Sequence, residues 1–482
     1  MSKEFRFLDL FCGGGGSVTG AINALNAAGM QYEGRGFNHW PIAIKTIQMN
    51  HPEVIPDFAH ACASIKSVTP DEIFDDDPTR IDAIWASPAC THHSRAKGGK
   101  PRSKQLREQP EYLLPYIRLT KCRRLYVENV EELKEWGPVL DRDLRYKGKL
   151  YRAGTPDPRY TGKYFDLWIR EIKASGYKVD IQIMNAADYG AVTSRRRLIV
   201  QAVRKSSGER IIWPDPTHSK EPNLFDCKPW RSAAEIIDWS IVGESIFERK
   251  KPLCENTLRR IESGIRKYWG DFAEPFLVIL RGTSEKQLES SALPVSGPVP
   301  TITAGGEHIA LIQPLFVDQS HPGDKKSDDS RCKVGPLGTI TTTNNWSVVR
   351  PLFIPQHGGG AVKPCDMPLS TIATTGSIGI VRPFLIDYHG ASKTQTLDKP
   401  INTIRTHDRF GLIQGQILEL EDGRKFKLDI THRMLTAKEL AAATGFPRDY
   451  VFAGKDTDAK KQIGNAVCPD VTAALYRAFL AA

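Results

Sequence analysis

Asp9 and Phe11 stand just before four consecutive glycines, Gly13 to Gly16, close to the start of the chain. Glycines where a strand turns into a helix let a ligand approach the backbone, and the helix N-terminus offers free N–H groups. The spacing satisfies neither G-x-G-x-x-G nor G-x-x-x-x-G-K-[ST], so a dinucleotide or a P-loop triphosphate is not indicated. On these residues alone, a tight strand-to-helix turn without a ligand is an equal alternative.

A cysteine follows the short apolar segment 81–86, which is a strand candidate. Cys90 ends the tetrapeptide Ser-Pro-Ala-Cys and should lie on a loop at the sheet edge. A thiol there could act as a nucleophile where nearby cations favour the thiolate. A lone cysteine is more often inert. The adjacent His92 and His93 have no matching ligand cluster, so we expect no metal site.

Charged residues border two further strand candidates. Glu128 directly follows the apolar segment 125–127, and three arginines, Arg195 to Arg197, precede another apolar segment. Alternation along that strand would send Arg195 and Arg197 to one face and Arg196 to the other. Such a carboxylate could serve as an acid, and the arginines could bind phosphate. Solvated loop positions are the plainer interpretation of each.

The elements that must position these residues alternate between strand and helix through the first 205 residues. This pattern predicts an α/β fold with a doubly wound, mostly parallel sheet and a site at the carboxyl ends of its strands. Helical stretches are predicted near Ser232–Ile237 and Leu258–Tyr268. At the other end of the chain, Thr436 and Glu439 form a capping box, Gly445 is a plausible C-cap, and Pro469–Leu480 is a closing helix.

A repeat occupies the region between these helical parts. Each copy opens with proline and three apolar residues and closes with a Thr-Ile pair, and the closing threonines are 38, 32 and 32 residues apart. The spacing predicts a β-rich module of stacked, similar units, each pairing an apolar strand with a Thr-Ile strand. The openers are Pro275, Pro314, Pro351 and Pro383, and the closing pairs begin at Thr301, Thr339, Thr371 and Thr403.

Composition bears on the partner and the cellular compartment of the protein. The 482 residues include 66 Lys+Arg and 56 Asp+Glu, a net charge of +10 that suits a polyanionic partner, although solubility alone could explain it. Nine cysteines without a CxxC pair favour a reducing compartment. With no signal-like N-terminus and no membrane-length apolar run, we expect a soluble, cytoplasmic protein that does not contact a membrane.

Taken in order, these segments resemble the DNA (cytosine-5)-methyltransferase family along almost the whole chain. Six motifs appear in the family's order, which makes the resemblance far more specific than any single match. They lie at residues 9–16, 87–90, 128–130, 189–197, 433–447 and 462–467.

The resemblance implies a particular division of the chain. Residues 1–205 would form the first part of a Rossmann-like, S-adenosylmethionine-dependent catalytic domain, and residues 431–482 would return to complete its cofactor pocket. Residues 206–272 would be a helical connector, and residues 273–430 an inserted target-recognition domain built of the β-rich repeats.

The implied activity is transfer of a methyl group from S-adenosyl-L-methionine to carbon 5 of a flipped cytosine in specific duplex DNA sequences. Cys90 would attack carbon 6 and form a covalent adduct. Glu128 would bind the Watson–Crick edge and supply a proton to ring nitrogen 3. Arg195 would bind the exocyclic oxygen, and Arg197 would steady the loop or the nucleophile.

The resemblance also implies a set of cofactor-binding residues, with Phe11 stacking on the adenine. The set departs from the family at Asn38, where an acidic residue usually holds the ribose, and at Ser64, where an Asp commonly contacts the adenine amino group. These departures leave a modified S-adenosylmethionine open. The full set is Asp9, Phe11, Cys12, Gly13, Gly14, Gly15, Gly16, Asn38, His39, Ser64, Pro88, Asn465 and Val467.

Two alternatives of different kinds stay open beside this interpretation. One is an RNA (tRNA) cytosine-5 methyltransferase, which the large module before the motif at residues 433–447 disfavours. The other is a catalytically silent DNA-binding protein, which the intact Cys90, Glu128 and Arg195 disfavour. A dinucleotide oxidoreductase is disfavoured because the sequence lacks the G-x-G-x-x-G fingerprint of that class. We expect a monomer acting on double-stranded DNA, with a cognate restriction enzyme as a conceivable partner.

Overall fold

The structure is a computed structural model. It describes residues 4–68, 73, 80–89, 109–221, 227–241, 243–247, 249–268, 275–281, 284–303, 308–318 and 425–481, together with short strands between residues 352 and 419. The chain divides into two compact units. The first comprises Met1–Ile236, Ser296–Gly306 and Thr436–Ala482, and the second comprises Ile237–Val295 and Glu307–Leu435.

A six-stranded sheet forms the centre of the first unit. Its strands are β1 (Phe5–Leu10), β2 (Tyr32–Phe37), β3 (Ala83–Ala86), β4 (Arg124–Asn129), β7 (Tyr177–Asn185) and β8 (Arg196–Arg204), and a small hairpin of β5 (Leu144–Tyr146) and β6 (Lys149–Tyr151) precedes β7. The order in the sheet is β2-β1-β3-β4-β8-β7. Strands β1 to β4 are parallel, β8 runs antiparallel to β4, and β7 runs antiparallel to β8. Five strands therefore share one direction, which confirms the predicted mostly parallel sheet.

Helices cover both faces of this sheet because its strands are apolar on both sides. In β1, Phe5 and Phe7 belong to one buried cluster, and Leu8 and Leu10 belong to another on the opposite face. This is the two-residue period expected of a strand buried on both faces. The helices are α1 (Gly16–Ala27), α2 (Pro41–Asn50), α3 (Phe58–Ala61), α4 (Leu113–Thr120) and α5 (Lys163–Ala174), and, after the second unit, α8 (Ala437–Thr444), α9 (Asp456–Asn465) and α10 (Pro469–Leu480).

The end of the chain packs against its beginning. Helix α10 lies along α1, and the two helices approach so closely that a Cβ on Gly20 would lie 2.4 Å from the carbonyl oxygen of Pro469. The predicted capping box of α8 is present at Thr436 and Glu439, and Gly445 ends the helix at φ 95°. The closing helix spans the predicted residues.

The second unit is built on an antiparallel sheet. Its strands are β11 (Glu244–Ser245), β12 (Phe276–Ile279), β13 (Ala292–Pro294), β14 (Ile309–Asp318) and β22 (Lys425–Met434), and β21 (Ile417–Glu419) pairs with β22. The order in the sheet is β11-β22-β14-β12-β13. Helix α6 (Glu255–Tyr268) packs on it through Ile261 and Ile265, and α7 (Glu285–Glu289) precedes β13.

Repeat openers coincide with strands in this unit. Strand β12 is hydrogen-bonded on both sides, to β13 and to β14. The third and fourth openers lead into β15 (Leu352–Pro355) and β18 (Phe384–Asp387), and each is likewise the middle strand of three. The neighbours of β15 are β16 (Lys363–Pro364) and β17 (Ile378–Ile380), and those of β18 are β19 (Thr394–Thr396) and β20 (Phe410–Leu412).

Two predictions in this part of the chain were wrong. The first closing pair, Thr301-Ile302, lies in no strand and belongs to the first unit, where the nearby Val299 pairs with Thr193. The later closing pairs lie outside the described residues. The helix predicted near Ser232–Ile237 is only a 3-10 turn at Ala233–Glu235, capped by Ser232. Short strands β9 (His218–Ser219) and β10 (Lys228–Pro229) precede it.

Among the described helices, none combines the length and the apolar character that a bilayer crossing requires.

Gly20→Ala should lower the stability of the first unit. Alanine improves helix propensity by about 1 kcal/mol, but the new methyl group collides with a backbone carbonyl of α10 that cannot rotate away. Because overpacking of this kind costs about 1–3 kcal/mol, we expect a lower Tm by thermal unfolding. Asn23→Ala, at an exposed position of the same helix, is the control and should be neutral or stabilising. A Tm for Gly20→Ala at or above the parent value would contradict this packing.

Candidate active site

The glycine turn follows β1 and is built from left-handed backbone. Phe11 has φ 63°, Gly13 φ 53° and Gly15 φ 87°. Such a conformation is rare outside glycine, so Phe11 is held there by its neighbours. The N–H of Cys12 donates to the carbonyl of Phe37, the last residue of β2, and Gly15 ends the turn as the N-cap of α1.

The four glycines serve different purposes. A Cβ on Gly15 would lie 2.4 Å from Tyr450 Oη, and a Cβ on Gly16 would lie 2.1 Å from the carbonyl oxygen of Val467. A Cβ on Gly14 would make a tight but longer contact, 3.2 Å from Gln462 Cβ. These three glycines let the C-terminal segment pack onto the turn. Gly13 has only the Phe11 carbonyl oxygen near its Cβ position, at 3.9 Å, and it is therefore the glycine with open space beside it.

Asp9 lies near the end of β1, just before this turn, and is almost completely buried. Ser17 Oγ donates to Asp9 Oδ2, whereas Asp9 Oδ1 is buried without a hydrogen-bond partner. Burial raises the pKa of Asp9 to about 8, against the smaller opposing effect of the Ser17 hydrogen bond. A buried carboxyl with an unsatisfied oxygen suits a cationic ligand group next to the turn.

The residues expected around a nucleoside lie after β2 and α3. Asn38 follows β2; its backbone N–H donates to the carbonyl of Ala61, and its Oδ1 accepts the N–H of Trp40 at 2.9 Å. The Asn38 side-chain oxygen thus shapes the start of α2. His39 and Ser64 are exposed, and Ser64 Oγ makes only a long contact with the N–H of Lys66, at 3.4 Å.

The loop after β3 is tied to the end of β4. Asn129 Nδ2 donates to the carbonyl of Pro88 at 2.9 Å, and Asn129 Oδ1 accepts the N–H of Val130. The backbone N–H of Ala89 donates to Gln109 Oε1. Cys90 lies outside the described residues, but the loop leading to it is therefore fixed through Ala89.

A buried cluster of one carboxylate and two arginines lies where β4 ends and β8 begins. Glu128 Oε1 is 3.0 Å from Arg197 Nε and 3.9 Å from Arg195 Nη2. Arg196 points the other way and pairs with Glu131 at 3.0 Å. The predicted alternation of the three arginines is confirmed.

The two inner arginines differ in how they are held. Arg195 is 4% exposed, and its Nη1 donates to the carbonyls of Ile302 and Gly464, both at 3.0 Å. The Arg197 side chain is 15% exposed, and its Nη1 donates to the adjacent carbonyl of Arg196. Arg195 is therefore anchored by backbone from two distant segments, whereas Arg197 stays nearer the surface.

The C-terminal residues expected at the site flank this cluster. Asn465 is exposed at the end of α9, and Val467 is buried with its carbonyl against Gly16. The next residue, Cys468, lies near Glu128 and both arginines, but burial raises the pKa of its thiol to about 12. Cys468 is consequently a poor nucleophile at neutral pH.

Three contributors were missed from sequence. Tyr450 donates its hydroxyl to the Gly14 carbonyl at 2.7 Å, Gln462 packs against the turn, and Asn129 anchors Pro88. Asn129 and Gln462 stand inside the motifs at residues 128–130 and 462–467, so the sequence did mark both residues. Tyr450 had no signal beyond its place shortly after a motif. Among the described residues, no group of three His, Cys, Asp or Glu side chains is arranged to hold a metal ion.

The sheet thus carries Asp9, Asn38, Pro88 and Glu128 at the carboxyl ends of four adjacent parallel strands, which is where α/β folds place their ligand sites. Residues 157–263 and 368–481 match the family model of C-5 cytosine-specific DNA methylases. Over these residues, a little under half of its length, the chain is similar to the C-5 cytosine-specific DNA methylase family. The matched residues include both inner arginines, whereas Cys90 and Glu128 precede them.

Two curated relatives are type II methyltransferases. M.AgeI of Thalassovita gelatinovora is 26% identical over 239 residues, which cover 46% of this chain and 46% of that protein. M.AquIA of Picosynechococcus sp. is 27% identical over 252 residues, which cover 48% of this chain and 88% of that protein. The match to M.AgeI therefore spans about half the length of either protein.

Among solved structures, the Entamoeba histolytica methyltransferase EhMeth aligns over 98% of this chain and 97% of its own, with a TM-score of 0.45 and 12% identity.

Asn129→Asp should slow any reaction that depends on the loop leading to Cys90, and it should also lower stability. The aspartate keeps an acceptor for the N–H of Val130 but loses the donor to the Pro88 carbonyl, so the loop leading to Cys90 is released. Misplacement of a reacting group by about 1 Å can cost roughly 100-fold in rate. We expect kcat to fall by about 10- to 100-fold and the Tm to fall as well, because Asn129 is 1% exposed and the new carboxylate would face a carbonyl oxygen. The cofactor Kd, measured below that Tm, should be nearly unchanged. An unaltered kcat would contradict the positioning role.

Asp9→Asn should change how stability depends on pH. In the folded parent the pKa of Asp9 is about 8, above the 3.8 of an unperturbed carboxyl, so the folded state holds a proton that the unfolded state loses. The parent should lose stability as pH rises from 4 to about 8, by up to roughly 1.4 kcal/mol per pH unit. Asparagine does not titrate, so urea unfolding at several pH values should show a flatter profile. Parallel profiles for parent and variant would contradict the raised pKa.

Proposed function

We propose that this chain is a DNA (cytosine-5-)-methyltransferase that transfers a methyl group from S-adenosyl-L-methionine to carbon 5 of a flipped cytosine in duplex DNA. The observation that carries the proposal is the buried cluster of Glu128, Arg195 and Arg197 beside a Pro88 loop that Asn129 holds in place. A carboxyl group and guanidinium groups are the partners that the polar edge of a cytosine requires, and their burial strengthens each interaction.

Within this proposal, Cys90 adds to carbon 6 of the cytosine, and Glu128 supplies a proton to ring nitrogen 3. Addition of the thiolate to carbon 6 makes carbon 5 nucleophilic, and protonation of ring nitrogen 3 offsets the charge that develops on the ring. After methylation, solvent would take the carbon 5 proton, the carbon 6–sulfur bond would break to release the cysteine thiolate, and ring nitrogen 3 would return its proton to Glu128, which restores the ring. Because these steps need every face of the base, the cytosine must leave the duplex stack.

The geometry favours a division of labour between the arginines that differs from the sequence-based assignment. Arg195 Nη1 already serves two backbone carbonyls, so Arg195 suits a positioning role beside Glu128. Arg197 is closer to Glu128 and more exposed, so it is the better candidate for the exocyclic oxygen of the base.

The cofactor proposal rests on the turn after β1. When bound, S-adenosyl-L-methionine supplies an electrophilic methyl group on a sulfonium cation. Its cationic end suits the unsatisfied oxygen of Asp9, and the space beside Gly13 admits a ligand near the backbone. Asn38 would reach the ribose through its amide group, since its side-chain oxygen is engaged by Trp40.

DNA, rather than RNA, is proposed as the substrate, and the second unit as the part that reads the target sequence. The family model that matches the chain is one of DNA methylases, and two relatives are type II methyltransferases. The repeat openers that lie in the middle of three-stranded sheets provide a regular scaffold from which intervening loops can contact DNA. A cognate restriction enzyme and a cytoplasmic location belong to the same proposal.

Duplex DNA containing 5-fluorocytosine should trap the enzyme covalently when S-adenosyl-L-methionine is present. Fluorine cannot leave carbon 5 as a proton does, so the thiolate is not expelled and the adduct accumulates. Denaturing electrophoresis and peptide mass spectrometry should locate the adduct at Cys90. Cys90→Ala should bind DNA and form no adduct.

Transfer of a labelled methyl group to DNA and to tRNA, measured side by side with the same enzyme, separates the substrates. We expect label on DNA cytosines alone. Preferential labelling of tRNA would favour the RNA alternative. DNA binding without any labelling, by enzyme that binds the cofactor, would favour a catalytically silent protein.

A further inference from the structure

Between β4 and α5 the chain makes an excursion that the proposed chemistry does not use. Its ends meet at Trp136, whose carbonyl accepts the N–H of Tyr164 at 2.9 Å. Within it, residues 139–160 form what we call the basic hairpin. Val139 pairs with Pro156 at its base, and β5 and β6 pair at its tip.

The basic hairpin is a rigid feature. Its tip is a two-residue turn in which Lys147 and Gly148 both have positive φ, 48° and 76°, the conformation that suits the twist of paired strands. Backbone hydrogen bonds join Leu140 to Thr155 and to Gly154, at 2.9 and 2.8 Å. Its shape is therefore fixed before any partner arrives, and binding would order little further backbone.

Positive charges outnumber negative charges on the basic hairpin. It carries six Lys or Arg residues and three Asp residues. Two of the three carboxylates are neutralised locally, Asp143 by Arg152 at 2.7 Å and Asp157 by Arg159 at 2.7 Å. Within the described part of the chain, the remaining four cations form no ion pair. They are Arg142, Arg145, Lys147 and Lys149, of which Arg145 and the two lysines lie in or beside the paired strands of the tip.

Aromatic rings hold two of these cations in place. Lys147 Nζ lies 5.5 Å from the ring centre of Tyr146, and Lys149 Nζ lies 5.3 Å from that of Tyr151. Rings at this distance attract an ammonium group without neutralising it. The tip thus presents positive charge to solvent beside aromatic rings.

The place of the basic hairpin in the fold points to the same partner. The connection leaves β4 at Asn129, next to Glu128 and at the carboxyl edge of the parallel strands. A duplex whose cytosine reaches Glu128 would continue past this edge with a phosphate for each nucleotide.

We propose that the basic hairpin is a backbone-binding element of the catalytic unit, with Arg145, Lys147 and Lys149 contacting DNA phosphates outside the target base. This inference rests on the proposed function. It concerns affinity that is independent of sequence, because lysine binding to phosphate positions a duplex without reading it.

The test is a double variant, Lys147→Asn with Lys149→Gln, in the full chain. Asparagine before glycine suits this turn, so the hairpin fold is retained. Fluorescence anisotropy with duplex DNA should show a weaker Kd and a flatter salt dependence, by about 0.9 in log–log slope for each phosphate that the protein no longer neutralises. At saturating DNA, kcat should be unchanged.

The matched control is Lys178→Gln with Lys205→Gln. These exposed lysines start β7 and follow β8, at the opposite edge of the sheet, and their replacement removes the same charge. We expect the parent Kd and slope. Equal Kd values and slopes for parent and double variant, or equal losses in both double variants, would overturn the inference while methyl transfer to DNA still supports the proposed function. A loss confined to RNA binding would overturn it as well. Absence of methyl transfer by the parent would instead refute the proposed function.

Discussion

Burial of the Arg195 guanidinium is the constraint on which the site depends. A cation that is 4% exposed must find acceptors or be strongly destabilising. Glu128 on the neighbouring strand supplies charge at 3.9 Å, and two carbonyls, from Ile302 and Gly464, supply hydrogen bonds. Those carbonyls come from segments 107 and 269 residues away in sequence, so the arginine can be satisfied only when the whole first unit has assembled.

The glycine turn imposes a second long-range requirement of the same kind. Gly15 and Gly16 leave no volume for side chains because Tyr450 and Val467 occupy it, and Gln462 lies close to Gly14. The C-terminal segment therefore makes two contacts with the site. It packs on the turn after β1, and its Gly464 carbonyl accepts a hydrogen bond from Arg195. The second unit is inserted in sequence between parts of the first unit. The insertion can be tolerated because these interactions bring the N-terminal and C-terminal parts of the first unit together.

Sequence reasoning succeeded where local rules decide the outcome. Two-residue alternation placed Arg195 and Arg197 together and Arg196 apart, and the capping box at Thr436 fixed the start of a helix. It failed where tertiary packing decides. The pattern could not tell that three glycines make room for protein rather than ligand, or that Thr301 and Ile302 leave the repeat region to support Arg195. No local signal specifies which remote carbonyl a buried arginine will meet.

The first unit carries two kinds of positive charge, one buried and one exposed to solvent. The buried arginines are satisfied by backbone and by Glu128, so their charge is local and insensitive to salt. The lysines of the basic hairpin are exposed and steadied only by aromatic rings, so their field extends into solvent and is screened by salt. The proposed function would use both kinds of charge. Long-range attraction without sequence preference would assist the search for a duplex, and short-range interactions in the buried site would act only on a base that has left the stack.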